Sequence, residues 1–89
     1  MGLSQSFKFS YSGREDVKRF LENFTKDMKY TGNGKLLVVT EYKHKQMKFE
    51  IAIEDYGLYS HRSGEYFEVL SCLIENLTAK FGKVEIDDL

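Results

Sequence analysis

KLLVVTEYKHKQMKFEIAIE, residues 35–54, decides how this chain folds. Its second half alternates: Met47, Phe49, Ile51 and Ile53 are apolar, while Lys48 and Glu50 between them and Glu54 after them are charged. That is the period-two pattern of a strand with one face in a core. The first half, 35–43, is an apolar run closed by Thr40, Glu41, Tyr42 and Lys43. Folded back near His44-Lys45, the halves pair as a hairpin: Tyr42 with Met47, Thr40 with Phe49, Val38 with Ile51, Leu36 with Ile53. The other face then pairs Glu41 with Lys48, Val39 with Glu50 and Leu37 with Ala52. This register yields one apolar face and one favourable charge pair, as a hairpin needs. The turn lacks Gly, so a loop of about three to five residues is equally compatible.

Toward the N-terminus, Phe7, Phe9 and Tyr11 alternate with Lys8 and Ser10, predicting a strand after a flexible lead-in over 1–6. Ser12 stands three residues before Glu15, the spacing of a capping box. Val17, Phe20, Leu21, Phe24 and Met28 then fall on one helical stripe, with Glu15, Arg19, Glu22 and Lys26 opposite. Thr31-Gly32-Asn33-Gly34 ends that helix in a turn. Toward the C-terminus, an irregular aromatic stretch (DYGLYSHRSG, 55–64) leads into a second helix over about 64–81. Ser63 can cap it, Tyr66, Leu70, Leu73, Ile74, Leu77 and Phe81 form its stripe, and Gly82 stops it. Val84 and Ile86 read as a short last strand before an acidic tail, 87–89.

The order predicts a single α+β domain: a two-layer sandwich with two helices on one face of a mostly antiparallel sheet of about three or four strands. With the final strand it is a ferredoxin-like βαββαβ arrangement. A strand around 57–61 would instead give βαβββα. Neither arrangement names a function.

Length and composition narrow the choice. The 89 residues suffice for one core, and seven Phe and six Tyr supply large rings to fill it. A core this small leaves self-association open as a source of stability. Thirteen basic against 14 acidic residues, net −1, lack the basic excess of a general nucleic-acid binder. The single cysteine, Cys72, excludes an internal disulfide and fits a reducing, cytoplasmic setting. No apolar run reaches membrane-span length. Met1 to Ser6 matches the N-myristoylation template at Gly2, but no polybasic cluster follows to support a single acyl chain.

Chemistry-bearing residues are few. His44 sits on the hairpin tip, open to water. His61 lies in the aromatic stretch without an orienting acid or nucleophile in sequence nearby. Cys72 falls on the second helix's side with Glu65, Glu68 and Glu75, where acid disfavours a thiolate. No metal-ligand spacing and no cofactor motif occur. The expectation is therefore a protein that is not an enzyme, needs no cofactor and binds no metal. Ser12-Gly13-Arg14 is explained by helix capping without an anion. RNA recognition on the sheet face needs exposed aromatic platforms, and the expected open positions (Lys8, Ser10, Lys48, Glu50, Ala52) supply none.

Two surfaces remain. Leu37, Val39 and Ala52 interrupt the polar face of the hairpin, and a patch of that kind marks a protein interface, either a homodimer or another protein. An edge position for 35–43 would also let its LLVV run recruit a strand. In the aromatic stretch, Tyr59 and Arg62 are the expected exposed anchors. The leading expectation is a non-enzymatic interaction module acting as homo-oligomer, adaptor or inhibitor. The first alternative is an RNA- or ribosome-associated protein using the basic tip Lys43, Lys45 and Lys48, aided by Lys35 and Arg62. The second is a small-ligand sensor.

Overall fold

In the computed structural model, residues 3–32 and 35–89 are described. They form β1 (Leu3–Lys8), α1 (Arg14–Phe24), β2 (Lys29–Gly32), β3 (Leu36–Tyr42), β4 (Lys45–Glu54), β5 (Gly57–Gly64), α2 (Phe67–Phe81) and β6 (Glu85–Asp88). The strands make one six-stranded sheet in the order β2-β3-β4-β5-β1-β6. Every neighbouring pair is antiparallel. The molecule is thus α+β with two helices, but neither the ferredoxin-like βαββαβ order nor the βαβββα alternative describes it.

Two strands beyond the ferredoxin-like order, β2 and β5, account for the difference, and the expected last strand is present as β6. Residues 57–64, expected to be irregular or, in the alternative order, a strand around 57–61, form β5, whose Leu58, Ser60 and Arg62 are buried. Two of those inward residues are polar, which hides the alternation. Lys29–Gly32 forms β2, exposed along its whole length and therefore without any apolar signal. It pairs with β3, so the LLVV strand is not at an edge. The acidic segment 85–88 is β6, paired with β1. Strand β1 itself reaches back to Leu3, into the stretch expected to be a lead-in. Gly2 lies outside the described residues, as does the Asn33-Gly34 half of the predicted turn.

The central hairpin exists, but one residue out of the expected register. Leu37 pairs with Ile51, Val39 with Phe49 and Tyr42 with Lys45. The turn is Lys43-His44, both at positive φ (50° and 66°), the backbone of a two-residue primed turn. Between Val39 and Glu41 the ladder shifts, so Met47 and Lys48 stand opposite Thr40 as a bulge. A one-residue slip exchanges the two faces of a strand. Leu37 and Val39, expected on the open face, accordingly lie in the core, with Val39 at 0% exposure. Leu36 and Val38 take the open face.

Both helices cover the same face. Val17, Phe20 and Leu21 of α1 and Val69, Leu73 and Leu77 of α2 pack on Phe7, Leu37, Val39, Phe49, Ile51 and Leu58. Each such apolar side chain, fully buried, contributes about 1.5–3 kcal/mol. Phe81 closes the bottom of this layer, stacked 4.6 Å from Phe9 and edge-on to Phe20. Neither predicted side-chain cap forms: Gly13 caps α1, with Ser12 hydrogen-bonding Asp16, and Tyr66 caps α2 while Ser63 belongs to β5. Gly82 does end α2, at φ 84°. Gly57 is required where β5 starts, because a Cβ there would collide with the Phe7 carbonyl and the Phe9 ring.

Candidate interaction surface on the open face of the sheet

Among the described residues, no element covers the second face of the sheet. Its side chains fall into rows set by strand register. One row runs Thr31 (β2), Val38 (β3), Glu50 (β4), His61 (β5) and Ser4 (β1). The next runs Leu36, Ala52, Tyr59, Ser6 and Asp87. The β3–β4 end therefore carries an apolar cluster, with Leu36 45% exposed and Val38 and Ala52 half-buried, beside Glu50. The β5–β1 end is polar.

That polar end is tied together. Ser4 Oγ lies 2.7 Å from His61 Nδ1 and 3.3 Å from the Tyr59 hydroxyl. Ser6, beneath Tyr59, is almost fully buried. Tyr59 and His61 are thereby held in fixed orientations, which lowers the entropy lost when a partner docks on them. A serine–imidazole contact also invites comparison with an activated nucleophile. Here the neighbouring Glu50 pairs with Lys48 at 3.4 Å. Mid-strand N–H groups are spent on the ladder, so no pair of them faces outward as an oxyanion hole. The contact works as a brace.

Among the described residues, two ion pairs lie on this face, and Glu54, which shares the outward side of β4 with Glu50 and Ala52, is outside both. Lys48 pairs with Glu50 and Lys8 with Asp87, each at 3.4 Å. Tyr56, beside the same end, has its phenol pushed above the usual tyrosine range, chiefly by burial and then by Glu54.

Of the residues singled out from sequence, Ala52 and Tyr59 are direct neighbours on the open face, both half-buried. Leu37 and Val39 lie on the opposite side of the sheet. Arg62, expected to be exposed, is 2% exposed because it shares the inward face of β5 with Leu58 and Ser60. Its guanidinium sits 4.9 Å from the Tyr66 ring centroid and 6.0 Å from that of Phe49, and donates to Ser60 Oγ. The three lysines do not share a patch. Lys43 and Lys45 lie 3.7 and 3.4 Å from Glu68 in the first turn of α2, while Lys48 is on the open face. The Tyr42 phenol and then Glu68 hold the Lys43 ammonium above the ordinary lysine range. Leu36, Val38 and Ser4 are the surface residues that sequence reasoning missed. No apolar–polar alternation marks β5, because Ser60 and Arg62 face inward and Tyr59 faces outward.

Among the described residues no helix is long and apolar enough to cross a membrane, and no three His, Cys, Asp or Glu side chains are placed to hold a metal ion. No protein-family model, curated protein or solved structure matches the chain.

Proposed function

We propose that this chain is a non-enzymatic protein-interaction module that docks through the open face of its sheet, with a second copy of itself as the occupant. The observation that carries the proposal is the row Leu36, Ala52, Tyr59, with Val38 beside it, on a face where Lys48–Glu50 and Lys8–Asp87 are paired. Apolar and aromatic side chains beside neutralised charge suit a protein surface of the same composition and repel no copy of themselves. The molecule's two longer dimensions, 34 and 26 Å, cap any one face at roughly 900 Å², so pairing over part of this face buries less than the figure of about 800 Å² per partner in a standard interface. That area fits a reversible homodimer, with Tyr59, braced by Ser4, as its rigid anchor. A single free thiol, Cys72, suits a cytoplasmic setting.

The basic tip supports an RNA-associated role less well, because Lys43 and Lys45 share Glu68 and Lys48 points to the other side of the sheet. Sedimentation equilibrium of the wild type and Val38→Glu tests the proposal. A wild-type dimer with a Kd of about 1–100 μM, and a monomeric variant with unchanged circular dichroism, are expected. A wild type that stays monomeric at about 1 mM overturns self-pairing. Steep salt dependence of any RNA binding would favour the nucleic-acid role instead.

A further inference from the structure

The two helices part at the C-terminal end of α1, leaving a cleft of about 260 Å³ on the side of the molecule opposite the open face. Phe20, Phe24 and Tyr42 give it aromatic walls, and the Phe20 and Phe24 rings lie parallel, 3° apart in plane. Met28 and Cys72 add sulfur, and Asn23, Asp27 and Asn76 are its polar members. We propose that this cleft binds a small aromatic amine in its protonated form, a role independent of the sheet face.

Four features point to a cation. Among the described residues, Asp27 is the one charged side chain lining the cleft. Asn76 has already given its side-chain N–H to the Cys72 carbonyl at 2.7 Å, which leaves its Oδ1 to accept from a ligand. The cleft opens beside the C-terminal end of α1, where the helix dipole is negative, and the last turn of α1 carries no basic residue to offset it. Aromatic faces attract ammonium groups, and Phe20 and Phe24 offer such faces; the Tyr42 ring is already engaged by Lys43 Nζ, 5.2 Å from its centroid, which directs a ligand's ammonium to the Asp27 end of the cleft. The cleft is smaller than the pockets that hold drug-sized molecules, typically about 300 Å³ and above, so a one- or two-ring amine is the matching size. The ring would lie against Phe20 and Phe24 and the ammonium would meet Asp27 and Asn76.

Tryptamine is the test probe, with N-acetyltryptamine as its uncharged control, titrated into isotope-labelled full-length protein and followed by NMR. Tryptamine is expected to shift the side-chain amides of Asn23 and Asn76 with a Kd of about 1 mM or tighter, and to slow alkylation of Cys72 by iodoacetamide. N-acetyltryptamine should bind at least about fivefold more weakly. Asp27→Asn, an exposed change that leaves the core intact, should weaken tryptamine by a similar factor at unchanged Tm. Val38→Glu should bind it like the wild type, so failure of the sheet-face proposal leaves this result standing. No shift at about 10 mM, equal binding of the acetylated control, or no effect of Asp27→Asn would each overturn the assignment.

Discussion

Val38 and Val39 are adjacent residues of one strand with opposite fates. Val39 is wholly buried beneath the helices, whereas Val38 lies half-exposed on the uncovered face. The same contrast separates the two strands of the hairpin. In β4 the alternation of Met47, Phe49, Ile51 and Ile53 with polar neighbours leaves one possible face for the core. In β3, Leu36 to Val39 are apolar without interruption, and either face satisfies the hydrophobic pattern. Backbone events in the turn and bulge then decide which pair is buried.

Substitutions at these positions break the comparison most directly. Val39→Glu places a carboxylate in a core without a partner, at a cost of several kcal/mol that approaches the whole stability of a small domain. The variant is expected to lose its cooperative thermal transition. Folding of Val39→Glu at wild-type Tm would restore the register in which Val39 faces solvent. Val38→Glu, one residue away, should shift Tm little yet reduce self-association by tenfold or more, measured by sedimentation.

Arg62 sharpens the contrast from within β5, where it faces the core and its neighbour His61 faces outward. The buried guanidinium has aromatic rings and Ser60 around it, and its Nε has no hydrogen-bond partner. Desolvation of that charge is only partly offset. Arg62→Met should therefore be neutral or stabilising by about 1 kcal/mol, whereas Arg62→Ala, which opens a cavity, should cost about 2 kcal/mol in chemical denaturation. A large loss in Arg62→Met would show that the charge itself is needed. The smaller expected effect on association is that of Ser4→Ala, which removes the brace on His61 and Tyr59. It should cost about 0.5–1.5 kcal/mol and weaken dimerisation severalfold, with His61 losing its fixed ring orientation by NMR.

Much of the layered plan was legible in sequence. Both helical stripes, the alternation of β4 and the stop at Gly82 follow from spacing, and they put two helices on one face of an antiparallel sheet. What escaped had physical causes. Lys29–Gly32 is exposed on every side, so no periodicity marks it as a strand. The inward face of β5 uses Ser60 and Arg62, which resemble surface residues until a ring stack and a serine hydroxyl are seen to receive the guanidinium. For the candidate surface, Ala52 and Tyr59 were recoverable because β4 alternates cleanly and Tyr59 lies near a turn. Leu36 and Val38 were not, since nothing in LLVV distinguishes them from Leu37 and Val39. Cys72 faces a cleft between the helices that depends on how far α1 and α2 diverge, which no local pattern encodes.

The most direct test of the account is thiol accessibility at position 38, using Val38→Cys in a Cys72→Ser background across a series of protein concentrations. A reaction rate with a disulfide reagent that is fast when dilute and falls as concentration rises is predicted, because a second copy then covers the open face. A rate that stays slow at every dilution would place position 38 in the core, and one that stays fast at every concentration would remove the dimer.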